Sequence, residues 1–194
     1  MEEFIPKSHK ILYKGFVGIE EYEFDIPSQN LSAKRIVVNR PDAVAILLIN
    51  KTTDIVVLIK QFRAPVFAKE GQGYVYEIPA CVMETEEDPE ETIIRETLEE
   101  TGYRLEKPKF LLTFYPTVGI LDERIHLYYG IVTTKDKIEE GGGLDTEKEF
   151  IDIIELPFSE ALLLIDNGEI IDGKTIIGLF YLKKLIEEKG VLKI

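Results

Sequence analysis

Three glutamates, Glu96, Glu99 and Glu100, stand at i, i+3 and i+4 inside the segment CVMETEEDPEETIIRETLEETGY that runs from Cys81 to Tyr103. On a helix that spacing puts the three carboxylates on one face, about 5–6 Å apart at Cβ. Like charges so crowded repel unless a cation sits between them. Hard carboxylate oxygens in such a cluster suit Mg²⁺ or Mn²⁺, ions that also bridge to phosphate oxygens. A Glu-rich helix standing alone is more often a solvated surface, so the neighbouring residues must decide between the two.

The elements that would position this face are legible nearby. Asp88-Pro89-Glu90-Glu91 is a helix start: Asp caps, Pro suits the first helical position, and Glu three residues after the cap completes a capping box. Ile93, Ile94, Thr97 and Leu98 carry the helix to Gly102, a C-terminal stop. Ahead of it, alternation from His9 to Val38, broken at Gly15, Gly18 and Pro27-Ser28-Gln29-Asn30, predicts three antiparallel strands. Ala43 to Asn50 and Ile55 to Gln61, flanking Lys51-Thr52-Thr53-Asp54, predict a more buried hairpin. Strands are predicted again at Phe110 to Tyr115, Ile125 to Thr133 and Phe150 to Glu155, with Gly141-Gly142-Gly143 a flexible loop, and helices at Ser159 to Asn167 and Lys174 to Lys189.

The segment resembles the Nudix box, G-x5-E-x7-R-E-U-x-E-E-x-G-U with U apolar. Glu87, Arg95-Glu96, Glu99-Glu100 and Gly102-Tyr103 all fall at its spacing. The resemblance implies an α/β/α Nudix sandwich with a mixed sheet and an N-terminal antiparallel β extension. It implies that Glu96, Glu99, Glu100 and the carbonyl of Ala80 hold Mg²⁺, with Mn²⁺ as substitute. Glu87 and Arg95 then form a salt bridge that supports the box. Two positions depart from the pattern: Cys81 stands where the family has glycine, and Thr97 takes an apolar position. A Cβ at Cys81 resists the close approach that glycine permits, which bears on where the Ala80 carbonyl points. Nucleophile and metal ligand are the functional readings of Cys81; a small buried thiol that merely fits is preferred to either.

Beyond the box, Val57-Leu58-Ile59-Lys60-Gln61-Phe62-Arg63 and Glu77-Ile78-Pro79-Ala80 are similar to the ADP-ribose and GDP-mannose pyrophosphatase branch. So are the Gly141-Gly142-Gly143 loop and the tail Leu156-Pro157-Phe158-Ser159, Gly168-Glu169-Ile170 and Asp172-Gly173-Lys174-Thr175. In place of the Ser-Pro-Gly that this branch often carries, the chain has Thr117-Val118-Gly119 after Pro116, which leaves the choice between the two substrates open. The likeness implies Arg63, Glu77 and Arg40 as substrate-binding residues, Arg63 meeting a phosphate or fixing the adjacent loop. For the general base it offers Glu147 and Glu149 together, ahead of Glu123. The activity implied is hydrolysis of a nucleoside diphosphate sugar to a nucleoside monophosphate and a sugar phosphate. A Nudix-like sensor that binds such a nucleotide without cutting it is the alternative; sensors tend to lose the glutamates that this chain keeps.

Composition agrees with that class. The 194 residues carry a formal net charge of −13, which opposes binding to nucleic acid and makes a bridging cation natural for a phosphorylated substrate. No apolar run approaches the ~18 residues of a membrane span, and the N-terminus has no signal-peptide pattern. The single cysteine excludes an internal disulfide framework and fits a cytoplasmic location. Two regions are expected, an N-terminal β extension over 1–40 and a Nudix domain over 41–194. Because Ile11, Tyr13, Tyr22, Phe24, Ile36 and Val38 would expose an apolar face on a lone subunit, a homodimer is expected in which the extension helps wall the substrate site.

Overall fold

The computed structural model describes residues 1–143 and 150–189. It divides into two compact units, Met1–Asp42 with Tyr115–Arg124, and Ala43–Phe114 with the described residues of Ile125–Ile194.

The first unit is a three-stranded antiparallel sheet of β1 (Ile5–Lys14), β2 (Gly18–Ile26) and β3 (Leu31–Asn39), in that order. Tyr22 lies opposite His9 on one side and Arg35 on the other. Period-2 alternation sends Glu20, Tyr22 and Phe24 to one face of β2 and Glu21, Glu23 and Asp25 to the other. The aromatic side forms a ladder, with Tyr22 stacked on His9 at 4.7 Å and on Phe24 at 6.2 Å. Every residue of β1 is exposed. Residues 115–124 join this sheet through the Val38 N–H, which donates to the Ile120 carbonyl at 2.7 Å.

The second unit is an α/β/α sandwich whose layers follow from alternation along a central strand. Its seven described strands form one mixed sheet. The path runs β10 (Asp152–Pro157), β5 (Ile55–Phe62), β4 (Ala43–Asn50), β9 (Ile125–Val132) and β8 (Lys109–Phe114). Short β6 (Tyr74–Glu77) pairs with β5, and β7 (Ala80–Val82) with β4. The β4–β9 pair is parallel and the others are antiparallel. β4 reads AVAILLIN and is buried on both sides, as a strand covered by two helix layers must be. Ala45, Leu47 and Ile49 pack against α3 (Phe158–Asp166) and α4 (Gly173–Lys189) through Ala161, Leu179 and Leu182. Val44, Ile46 and Leu48 point the other way, to Ile93 of α2 (Pro89–Thr101) and to Tyr103. Burying each such side chain contributes about 1.5–3 kcal/mol, so these two layers dominate the stability of the unit. No described helix is long and apolar enough to cross a membrane.

One short helix, α1 (Ala64–Glu70), was not expected from the sequence; it buries no residue and ends at Gly71 in the left-handed region.

Candidate functional site

Helix α2 is built as its local sequence directs. The Asp88 carboxylate accepts from the N–H groups of Glu90 and Glu91 at 2.9 and 3.1 Å, Pro89 fills the first turn, and Gly102 closes the helix at φ 74°. The acidic first turn also complements the helix dipole. Thr92, Ile93, Thr97, Glu100 and Thr101 form the buried side. Thr97, the departure from the apolar pattern, is fully buried, and its hydroxyl donates back to the Ile93 carbonyl at 2.6 Å. The polar atom is thereby satisfied within the helix.

The three glutamates differ in environment although they share a face. Glu100 is 2% exposed, while Glu96 and Glu99 are half-buried. Burial pushes the Glu96 carboxyl above the usual carboxylate range, against the opposing charge of Arg95. Arg95 is their counter-charge. Its Nη1 lies 2.7 Å from Glu96 and 3.1 Å from Glu99, and its Nη2 lies 3.5 Å from Glu87. Arg95 therefore touches Glu87 and holds Glu96 and Glu99 as well. Glu96 and Glu99 converge on that one guanidinium, and among the described residues no group of three or more His, Cys, Asp or Glu side chains is gathered to hold an ion. By chemistry the donors still fit a hard divalent cation: three carboxylates leave one helix face, and two of them already hold a positive charge between them.

Ala80 opens β7, opposite Ala45 on β4. Cys81 follows within the strand, opposite Val44, and takes an extended conformation with no positive φ. Its backbone therefore carries none of the left-handed strain that would call for glycine. Burial, followed by the charge of the neighbouring Glu96, pushes the pKa of the thiol far above the ordinary range. A thiol so held stays protonated and is a poor nucleophile.

Arg63 and Glu77 meet each other. Arg63 Nε and Nη2 donate to the two Glu77 oxygens at 2.6 and 2.9 Å. Lys174 Nζ also donates to Glu77 and lies 3.2 Å from Asp172. Burial raises the Glu77 carboxyl, but the Arg63 hydrogen bonds and the Lys174 charge outweigh it, leaving it below the usual range. The Thr175 hydroxyl donates to Asp172 at 2.6 Å and accepts from the Ile78 N–H at 2.8 Å, so the start of α4 is tied to the strand that leads to Ala80. In the sequence Lys174 stands out only as part of a tail motif. Its partner Glu77 lies 97 residues away, and no local signal links them.

In the first unit, Arg40 lies 3.5 Å from Glu123 and 5.7 Å from the centre of the Phe16 ring. It lines a cavity of about 350 Å³ with Tyr13, Phe16 and Asn39. Glu123 is 7% exposed. Glu147 and Glu149 lie outside the described residues.

A model of the NUDIX domain matches residues 39–176. The chain is 38% identical over 182 residues to a methanol dehydrogenase activator of Bacillus methanolicus, covering 94% of this chain and 93% of that one. It is 34% identical over 178 residues to a GDP-mannose pyrophosphatase of Salmonella typhimurium, covering 90% and 92%. A crystal structure of an ADP compounds hydrolase superposes with a TM-score of 0.79 over 98% of this chain and 97% of the other, at 14% identity, a likeness of fold.

Proposed function

This chain belongs to the Nudix family, and from that premise we propose that it is a Mg²⁺-dependent pyrophosphatase of a nucleoside diphosphate sugar. The observation that carries the reading is the carboxylate face of α2, set in a box that follows the family pattern from Glu87 to Tyr103 at every position but Thr97. Relatives over nine-tenths of the chain are named as GDP-mannose pyrophosphatases, so hydrolysis of a phosphoric anhydride bond is the reaction class. GDP-mannose and ADP-ribose are the leading substrates. A sensor that binds without cutting is not favoured, because Glu96, Glu99 and Glu100 are all present.

Glu96, Glu99, Glu100 and the Ala80 carbonyl would hold the ion. When bound, Mg²⁺ supplies charge neutralisation at the phosphate oxygens and lowers the pKa of a coordinated water. The chain's own groups supply the rest. A glutamate accepts the proton of the attacking water as its oxygen bonds to phosphorus, and the bridging P–O bond breaks to release a nucleoside monophosphate and a sugar phosphate. Glu147 and Glu149 are the first candidates for that base and Glu123 the next. Arg63, half-exposed, spends two N–H groups on Glu77 and retains others for a phosphate. Arg40, over the Phe16 ring, is the candidate contact in the first unit. Residues 1–40 are proposed as a dimerisation element in a homodimer and 41–194 as the catalytic domain, in the cytoplasm.

The test is a panel of GDP-mannose, ADP-ribose, ADP-glucose, NADH and diadenosine polyphosphates, each with and without Mg²⁺. Mg²⁺-dependent release of a nucleoside monophosphate from one of the sugar compounds is expected. Binding of these compounds with no turnover under any metal would overturn the reading in favour of a sensor.

A further inference from the structure

Gly141, Gly142 and Gly143 hold φ of 72, 105 and 80°, a run that residues with side chains rarely adopt. The loop expected to be flexible is instead hydrogen-bonded to the end of α2. The Gly142 N–H donates to the Glu100 carbonyl at 2.8 Å, and the Gly143 N–H to the Glu99 carbonyl at 3.2 Å. Just before them, the N–H groups of Ile138 and Glu139 both donate to the Gly102 carbonyl, at 2.9 and 3.2 Å. The last carbonyls of a helix have no partner within it; here one incoming loop satisfies those of Glu99, Glu100 and Gly102.

The fit leaves no room for a side chain. A Cβ on Gly141 would stand 2.6 Å from the Gly102 nitrogen and 2.8 Å from the Glu100 carbonyl oxygen. A Cβ on Gly102 would stand 2.1 Å from the Glu139 carbonyl oxygen. Gly102 thus ends the helix and also admits the loop, two demands that meet on one residue.

We infer that the glycine loop is a positioning device for the carboxylate face. It grips the backbone of Glu99 and Glu100, so it sets the height and rotation of the last turn of α2, and with them the directions in which both side chains leave the helix. Helix ends fray where nothing holds them, and a frayed last turn would carry two proposed ligands out of register. The inference rests on the metal-holding reading given above. The glycines themselves touch neither substrate nor ion and act only through Glu99 and Glu100.

Gly141→Ala tests this, with Gly168→Ala as control. Gly168 has a φ of 75° and nothing within 4 Å of an added Cβ, so it shares the backbone strain without touching α2. Three readouts are taken on the full chain: calorimetric titration with Mn²⁺ alone, kcat and KM at saturating Mg²⁺, and amide exchange at Gly142 and Gly143. Gly141→Ala is expected to weaken Mn²⁺ binding by about 10–100-fold, the cost of losing an outer-shell support. It should also speed exchange at both amides and lower kcat with little change in KM, while Gly168→Ala keeps the wild-type values. If Gly141→Ala does not fold, Gly142→Ala replaces it. Its added Cβ meets only the Ile151 carbonyl at 3.6 Å, but its φ of 105° must relax and break the bond to Glu100. Mn²⁺ binding lost in Glu100→Gln yet unchanged in Gly141→Ala would overturn the positioning role alone. Absence of Mn²⁺ binding in the wild type, with both amides protected, would overturn the metal reading and the positioning role with it.

Discussion

Arg63 grips Glu77 through two parallel hydrogen bonds, from Nε at 2.6 Å and Nη2 at 2.9 Å, and Glu77 is 2% exposed. A buried carboxylate is tolerated there because Lys174 completes its coordination from the start of α4. The arrangement bears on the approach to the box, since Ile78, Pro79 and Ala80 follow directly and the Ile78 N–H is held by Thr175.

Glu77→Gln should therefore destabilise the fold by roughly 3 kcal/mol at neutral pH, because it leaves two cations facing a neutral amide. The low end of the range applies, since the Arg63 side chain is 40% exposed and water screens part of its charge. The folded Glu77 carboxyl lies below its ordinary value. Its contribution is thus complete above the unfolded value of about 4.3 and is lost as pH falls through the folded one. Urea unfolding of both proteins between about pH 7 and pH 3 reads this out: the gap should narrow in acid, and a gap that stays constant would remove Glu77 from the acid response.

Glu100→Gln should abolish turnover while leaving the thermal midpoint close to that of the wild type. The substitution keeps the shape of a buried side chain and removes the charge that an ion would need. The decisive measurements are kcat at saturating Mg²⁺ and a melting curve on the same sample. Normal kcat would remove Glu100 from the proposed ligands.

How much of this was readable beforehand depended on how local the cause was. Helix α2 was legible because Asp88, Pro89 and Gly102 act within a turn of themselves, and β4 because eight consecutive residues from Ala43 to Asn50 are adapted to burial. The pairing of Glu87 with Arg95 is something only the family resemblance implies, and the capture of Glu96 and Glu99 by the same guanidinium needs side-chain geometry. Helix α1 was illegible because a seven-residue helix with no buried residue has no apolar period. Strands β6 and β7 are four and three residues long and take their identity from the partners they pair with, β5 and β4. Lys174 and the glycine loop escaped for another reason: each meets its partner only after the chain has folded, and in Gly141-Gly142-Gly143 the same composition that permits mobility also permits a tight fit against α2.

Cys81 should react slowly with a thiol reagent in the folded protein and rapidly once the chain is unfolded. It is half-buried, and its proton is held by burial and by the neighbouring Glu96 charge. Since its backbone carries no positive φ, Cys81→Gly has no such strain to relieve, and activity equal to the wild type is expected. Ellman titration with and without urea, beside an Mg²⁺ titration of the variant, checks both statements. Fast labelling of the native protein, or a large loss of activity in Cys81→Gly, would give the thiol a role beyond packing.

The last prediction concerns the first unit. All ten residues of β1 are exposed, Ile11 and Tyr13 among them, and Phe4 and Phe16 just outside the strand are also open to solvent. A three-stranded sheet with so much exposed apolar surface is proposed to associate, and a twofold dimer would bury one such patch against its own copy. Light scattering across a wide concentration range should therefore give twice the 22.2 kDa subunit mass. Ile11→Lys, placed opposite Glu20 in the β1–β2 register, should shift the particle toward the subunit mass without unfolding the second unit, whose two core layers contain no residue of β1. Activity measured on the same samples separates assembly from catalysis: a fall in kcat that follows dissociation would show that the catalytic site needs the partner, and a fully active particle at subunit mass would dismiss the dimer as a requirement.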